Sequence, residues 1–219
     1  MKNLKSRYIN VGCGASPTDG FVNYDYNFFL KLMKIPLFYN FISIFRLIPD
    51  AHLNFMKIAK LNNIKFCDAS RNIPEKSFSV DLIYTCHMIE HLDKNETDNF
   101  LKECKRVLKP NGYLRIVVPD FDRLIQIYNE NKNVDEFING SCLVGDKPKN
   151  FFKKLQYFLQ GHGWHHQMFN QESLTKLLMK HGFYNLIFLK PGESKIPMKT
   201  AINLFDFSNQ SIYCECQSL

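Results

Sequence analysis

Apolar residues along this chain follow two different periods. Runs rich in aliphatic and β-branched residues, bounded by Gly, Asp, Asn or Pro, predict five early β-strands. They are Tyr8–Val11, Phe21–Asp25, Ile64–Cys67, Val80–Cys86 and Tyr113–Val118. The segments YNLIFLK and SIYCECQ near the end of the sequence predict two more strands. We therefore expect a sheet of seven strands.

Between the predicted fourth and fifth strands, the apolar spacing changes to that of a helix. This helix should begin near Asp93 and stop at Pro110-Asn111-Gly112. Strand, helix and strand in this order are typical of parallel pairing. The same period predicts helices at Asp122–Asn129 and at Glu172–His181, the latter with Asn170 as its N-cap and Gly182 as its stop.

The connection between the first two strands is unusually short. It runs only from Gly12 to Gly20, whereas a parallel crossover takes about a dozen residues or more. We interpret an aromatic-rich helical insertion at about 27–62 as a cap over the functional site, and we place a substrate-side insertion at about 131–168. The prediction is one α/β domain covering 1–219. Its sheet is Rossmann-like and mostly parallel, with helices on both faces and a shortened first crossover.

Charge and cysteine content limit the possible surroundings. Lys and Arg number 28 against 21 Asp and Glu, so the formal net charge is +7, which favours anionic surroundings. The seven cysteines are odd in number and scattered, which predicts reduced thiols and a cytoplasmic location. The longest apolar stretch, 35–45, is shorter than the roughly 20 residues that a membrane span needs, and we expect no secretory signal.

Glycine or aspartate residues that could bind a ligand stand at the ends of three successive predicted strands. Gly12 and Gly14 end the first strand, but Pro17 replaces the third glycine of the dinucleotide fingerprint, which disfavours NAD and FAD. A nucleoside cofactor without a phosphate is unaffected by this change. Asp25 ends the second strand, where a carboxylate can accept from both ribose hydroxyls, and Asp68 ends the third, where it can meet adenine. The alternative is that each aspartate only caps a strand end.

Several quoted segments resemble one family over nearly the whole chain, apart from about 28–60 and 131–161. They are YINVGCG, NYDYN, FCDASRNIP, VDLIYTCHMIEHLD, FLKECKRVLKPNGYLRIVVPD and MFNQESLTKLLMKHGF. They resemble the class I S-adenosylmethionine-dependent methyltransferases, in particular the short type-11-like group. The resemblance implies S-adenosylmethionine as cofactor. By that resemblance Gly12, Cys13 and Gly14 would contact its methionyl part, and Asp25 its ribose. Asp68 and Ala69 would contact the adenine, and Cys86 and His87 would lie beside the sulfonium.

The same resemblance implies methyl transfer to an oxygen or nitrogen. The acceptor must then lose a proton, and histidine is the side chain whose pKa suits this near neutral pH. We predict His87 and His165 as catalytic, the latter from the segment GHGWHHQMF. By resemblance alone, the acceptor is expected to be a small molecule or a glycan, first of all a sugar in surface polysaccharide biosynthesis. A nucleic acid is a less favoured partner, and the sequence does not predict the oligomeric state.

Two other readings stay open at this point. HMIEH, from His87 to His91, spells the H-x-x-E-H pattern of inverted zinc peptidases. That chemistry needs a continuous helix, and a predicted strand ends just before His87, so we expect no metal. The alternative is that Glu90 and His91 anchor a turn at the strand end by hydrogen bonds, and we favour it for His91. The other reading is a methyltransferase-like binding module without catalysis, against which intact Gly14, Asp25 and Asp68 argue. We interpret Lys147, Lys149, Lys153 and Lys154 as a solvated basic face.

Overall fold

Seven strands form a single sheet in a computed structural model that describes residues 6–45, 48–145, 154, 163–197, 202–207 and 210–219. The strands are β1 (Tyr8–Val11), β2 (Val22–Asp25), β3 (Lys65–Phe66), β4 (Val80–Cys86), β5 (Leu108–Pro119), β6 (Phe183–Leu189) and β7 (Ser211–Ser218). Their order is β3-β2-β1-β4-β5-β7-β6. β1 to β5 pair in parallel, whereas β7 is antiparallel to both β5 and β6. The predicted mostly parallel seven-stranded sheet is confirmed.

The helices described are α1 (Phe29–Leu32), α2 (Phe38–Phe45), α3 (Asp50–Leu61), α4 (Lys94–Val107), α5 (Phe121–Asn131), α6 (Val134–Ser141) and α7 (Gln171–Lys180), with a short 3-10 helix at Ile89–His91. Asp93 and Glu96 close a capping box at the start of α4. Asn170, the predicted N-cap, closes another with Ser173 at the start of α7. Within the described residues, no helix has both the length and the apolar character needed to cross a membrane.

Helices cover both faces of the sheet, as predicted. On one face, α4 contributes Phe100 and Leu101 and α7 contributes Leu174 to the main core, all fully buried. Burial of such a side chain contributes about 1.5–3 kcal/mol. On the other face, α1 and α3 pack in a second apolar cluster that includes Phe66 of β3.

The first crossover contains no helix, which confirms the predicted shortening. The described residues of the 27–62 insertion pack beside the β3 edge, where Phe55 and Met56 are buried with Cys13. None of the described residues between 28 and 62 lines the cleft described below. The role of this insertion as a cap therefore stays a prediction.

The predicted stop of α4 was wrong by three residues. The helix ends at Val107, and β5 begins directly at Leu108, five residues before its predicted start. Pro110 explains the early end, because a residue before proline is disfavoured in helical conformation. The pairing of β4 with β5 shifts register between Val80 and Leu82, and this irregularity accommodates the Pro110-Asn111-Gly112 segment inside the strand.

Candidate functional site

A cleft of about 520 Å³ opens at the carboxyl ends of β1 to β4. Ligands of open α/β sheets bind at this edge, because the strand ends leave room for side chains and backbone amides from several loops. One part of the wall comes from the ends of β1, β2 and β3. The opposite part comes from the segment after β4 and from residues 163–166.

The two glycines after β1 serve different purposes. Gly12 has φ +73°, and a Cβ placed there would lie 2.3 Å from Cγ of Met88. Its bare backbone is therefore required by packing against Met88. Gly14, with φ +52°, has nothing within 4 Å of an added Cβ and lines the cleft. Of the two glycines, only Gly14 has open space in the direction in which a Cβ would project, and a ligand can occupy that space.

Asp25 is held rigidly at the end of β2. Its Oδ2 accepts from the Gly14 amide at 2.8 Å, and its Oδ1 accepts from the Asn27 amide at 2.8 Å. Burial raises the pKa of the Asp25 carboxyl, and these two amide hydrogen bonds oppose the rise. Each oxygen has a second lone pair, so the carboxylate can still accept from a pair of hydroxyls.

Asp68 follows β3 and lines the same cleft with Ala69. Its Oδ1 accepts from the Ser70 hydroxyl at 2.7 Å, and its Oδ2 lies 3.2 Å from Nε of Arg71. These partners come from its own turn. Asp25, Asp68, Ala69 and Gly14 are therefore brought together at one end of the cleft, as the sequence predicted.

The two cysteines assigned to the cofactor lie elsewhere. The Cys13 side chain is buried in the second apolar cluster, against α3, and burial raises the pKa of its thiol strongly. Its amide donates to the Tyr24 carbonyl. The Cys86 side chain packs with Leu82 and Tyr84, since alternate residues of a strand share a face. Neither cysteine is among the residues that line the cleft.

His87 lies at the cleft wall in a left-handed backbone conformation, with φ +48°. Such conformations are rare for side chains other than glycine and occur preferentially at functional sites. Its Nε2 lies 2.8 Å from Oγ of Ser211, and its ring stacks on Phe207 at 4.0 Å. Burial, with smaller contributions from His165 and His91, lowers the pKa of His87 to about 4. The ring is therefore neutral near pH 7, the state that can accept a proton.

At and behind this wall, the buried Glu90 forms a cluster with the half-buried His91 and His165. One potential ligand atom from each lies within 4.8 Å of the other two. Glu90 is fully buried, and burial raises the pKa of its carboxyl to about 8. Burial also lowers the pKa of both histidines. The cluster therefore combines a carboxyl group with two imidazoles that are neutral near pH 7.

The structure agrees with the turn-anchor role favoured for His91. The Nδ1 of His91 lies 3.1 Å from the Trp164 carbonyl. For Glu90, the anchor is the backbone carbonyl, which accepts from the amides of His166 and Gln167. The HMIEH segment is not a continuous helix, because β4 ends at Cys86 and the 3-10 helix begins at Ile89. That expectation is confirmed.

His165 does not line the cleft, whereas its neighbour His166 does. The His165 ring lies 5.0 Å from the ring of His91, and its Nδ1 is buried. Sequence analysis also missed Met88 and Trp164 as wall residues. The available signal was the segment GHGWHHQMF itself, but its loop-like glycines could not indicate which histidine faces the cleft. Gly161 and His162 lie outside the described residues, as do Lys147, Lys149 and Lys153, while Lys154 is exposed.

Comparison with known proteins finds sequence similarity over part of the chain. A family model described as a methyltransferase domain matches residues 47–116, which contain β3, β4, α4 and most of β5. An uncharacterized protein of Methanocaldococcus jannaschii is 36% identical over 128 residues. That match covers 56% of this chain and 54% of the relative, so the chain spans about half the length of the curated relative that it matches.

Solved structures show the same fold. A structure of S-adenosylmethionine-dependent methyltransferases from Methanosarcina mazei superposes with a TM-score of 0.53 at 14% identity, covering 97% of this chain and 92% of the other. One from Archaeoglobus fulgidus superposes with a TM-score of 0.52 at 15% identity, covering 97% and 86%. Together with the family model, these matches confirm the resemblance noted in the sequence.

Proposed function

From the class I methyltransferase fold of this chain, and from its match to a methyltransferase-domain model, we propose that the protein transfers a methyl group from S-adenosylmethionine. The acceptor atom in this proposal is an oxygen or nitrogen of a small molecule or glycan. The observation that carries the proposal is the cradle at the strand ends, which we define as Gly14, Asp25, Asp68 and Ala69.

The cradle fits an adenosyl group in shape and polarity. Gly14 leaves open space beside the backbone, where an amino-acid tail can approach. Asp25 offers a fixed carboxylate to the ribose hydroxyls, and Asp68 with the amide of Ala69 offers an acceptor and a donor to the adenine edge. The absence of a glycine at Pro17 does not weaken this fit, because the group contains no phosphate.

S-adenosylmethionine supplies an activated methyl group on a positively charged sulphur, so the chain has to align the partners, exclude water and accept a proton. In this proposal the cradle binds and orients the nucleoside. His87 and His166 line the remaining space. The ring of His87 is neutral near pH 7, but its pKa of about 4 lies well below the value that suits a general base at that pH, so position alone makes His87 the candidate proton acceptor in this proposal. His165 is not assigned this role, because it lies behind the wall.

The acceptor half of the cleft supports a polar acceptor with an apolar face. It is lined by His87, His91, His166 and Trp164. An indole provides a broad apolar surface with a polar edge, which suits packing against a sugar ring. A glycan of surface polysaccharide biosynthesis is therefore our first choice of acceptor. The seven free thiols support a reducing, cytoplasmic location.

Calorimetric titration with S-adenosylhomocysteine tests the cradle. We expect one molecule bound per chain. Asp25→Asn should weaken this binding by roughly 10- to 100-fold, because hydrogen bonds to a charged group contribute about 1.5–3 kcal/mol each. Asp19→Asn is the matched control, since Asp19 is an exposed aspartate of the same loop region, and it should bind like the unchanged protein.

The outcomes separate three functions. Binding together with transfer of labelled methyl from S-adenosylmethionine into a cell extract supports the enzyme. Binding without any transfer into extracts that contain small molecules and glycans indicates a binding module. No binding, or equal binding by Asp25→Asn, would contradict the proposed cradle.

A further inference from the structure

We propose that Glu90, His91 and His165 form a binding site for one divalent transition-metal ion, with zinc as the expected occupant. Two imidazoles and one carboxylate are a ligand set that zinc uses in proteins, with the remaining positions open to water or another ligand. The site differs from the H-x-x-E-H motif considered above, because it replaces His87 by His165, a histidine 78 positions further along the chain.

The first argument is geometric. The three potential ligand atoms lie within 4.8 Å of one another. Atoms bound tetrahedrally to one zinc ion, at about 2.0–2.2 Å from it, lie roughly 3.4 Å apart. Closing this difference requires shifts of about an ångström, which side-chain rotation can provide. His91 belongs to both the cluster and the cleft wall, so an ion held here would border the cleft.

The second argument is the unsatisfied polarity of the cluster. Both carboxylate oxygens of Glu90 and the Nδ1 of His165 are buried and have no hydrogen-bond partner within the described part of the chain. The Glu90 side chain is 1% exposed, and the nearest cation-capable group is the Nδ1 of His87, 3.5 Å from its Oε1. Leaving a buried polar group unpaired costs about 1–3 kcal/mol, and more if it is charged. A cation between these groups would remove that cost.

The third argument is the orientation of the two rings. His91 directs its Nδ1 to the Trp164 carbonyl, which leaves its Nε2 for a metal. The backbone of Ser141 lies near enough to the His165 ring to oppose the lowering of its pKa by burial, and Nδ1 is the ring nitrogen that has no hydrogen-bond partner among the described residues. Histidines that bind metals usually donate their second N–H to a carbonyl or carboxylate in this way. The His91 ring is therefore held as such a ligand is held, and His165 offers its Nδ1.

Metal uptake by the chelator-stripped protein tests the site directly. After dialysis and titration with Zn²⁺ in the absence of any cofactor, we expect one tightly bound ion per chain by elemental analysis. Glu90→Gln and His165→Gln should each raise the apparent Kd by at least about tenfold, since even the loss of an outer-shell partner costs that much. His181→Gln is the matched control, because this histidine pairs with Asp98 outside the cluster, and its Kd should not change.

Cobalt distinguishes the proposed ligands from the seven cysteines. Substitution with Co²⁺ should give visible d–d absorption without the intense near-ultraviolet band of cobalt–thiolate bonds. A strong thiolate band would assign the metal to cysteines and overturn the site. So would the absence of stoichiometric uptake, or an unchanged Kd in both ligand variants. Circular dichroism shows whether each variant folds. If a variant does not fold, the cobalt spectrum of the unchanged protein tests the site, and a strong thiolate band would contradict it.

The test is independent of the methyl-transfer proposal. Zinc binding without S-adenosylhomocysteine binding would support the metal site and contradict the proposed cradle. Binding of S-adenosylhomocysteine without zinc binding would contradict the metal site alone.

Discussion

The two halves of the cleft differ in how their polar groups are satisfied. In the cradle, both oxygens of Asp25 accept backbone amides, and both oxygens of Asp68 have partners in Ser70 and Arg71. Behind the acceptor half, both oxygens of Glu90 and the Nδ1 of His165 are buried without a hydrogen-bond partner among the described residues. The polar groups of the cradle are satisfied without a ligand, whereas those directly behind the acceptor half are not.

Sequence separation explains part of this difference. Asp68 finds its partners two and three residues away, and Asn27 lies two residues after Asp25. Such local bonds form whenever the turn forms, so the cradle is organised before any ligand arrives. Glu90 and His165 come from segments 75 positions apart. Their geometry depends on tertiary packing between the β4 end and the 163–168 loop.

The largest expected effect concerns Gly12, which lines the cleft and also packs against Met88. Gly12→Ala would place a Cβ 2.3 Å from Met88 Cγ at φ +73°. We expect overpacking and left-handed strain together to lower the free energy of unfolding by about 3 kcal/mol, measured by urea denaturation. Gly14→Ala should lower the free energy of unfolding by only about 1 kcal/mol, from left-handed strain alone. It should weaken S-adenosylhomocysteine binding, because its Cβ would occupy open space in the cleft.

A double variant checks the cause of the Gly12 effect. Met88→Ala removes the Cγ at 2.3 Å but keeps the Cβ at 2.8 Å from the added Cβ. In that background, Gly12→Ala should therefore lower the free energy of unfolding by less than in the unchanged protein, although by more than the strain component alone. An equal loss of stability in both backgrounds would show that packing against Met88 is not the reason for this glycine.

The strands and the cradle could be predicted because their signals are local. β1 and β4 were predicted to the residue, since apolar runs bounded by turn residues fix both their length and their ends. Asp25 and Asp68 followed from these ends, because parallel strands finish at one edge of the sheet. The helix stop before β5 was missed because Pro110 acts on residues that precede it in the chain.

The histidine cluster could not be predicted, and the reason is again physical. Whether His165 or His166 lines the cleft depends on the direction of a loop, and adjacent residues of a loop follow no period that the sequence reveals. The same limit applies to Cys86. Its side chain faces Tyr84, whereas position at a strand end alone suggested contact with the cofactor.

A smaller effect is expected where the cradle borders solvent. Asp68→Asn keeps the side-chain shape but loses the charge that Ser70 and Arg71 share. Since Arg71 is 84% exposed, its pairing contributes little, and the main loss should be one hydrogen bond to the adenine. We expect S-adenosylhomocysteine to bind roughly tenfold more weakly by calorimetry, which is less than for Asp25→Asn. An effect larger than that of Asp25→Asn would reverse the proposed ranking of the two aspartates.

The smallest expected effect tests whether the two halves are independent. Gln167 connects the 163–168 loop to the residues after β4, because its Nε2 donates to the Leu92 carbonyl at 2.9 Å and to Oγ1 of the buried Thr97 at 2.7 Å. Gln167→Ala should reduce the free energy of unfolding by about 1 kcal/mol. It should also weaken Zn²⁺ uptake several-fold by loosening His165, and leave S-adenosylhomocysteine binding unchanged. Gln171→Ala, at an exposed position of α7, is the control. If Gln167→Ala weakened both ligands equally, the cleft would behave as one cooperative unit and the contrast between its halves would be wrong.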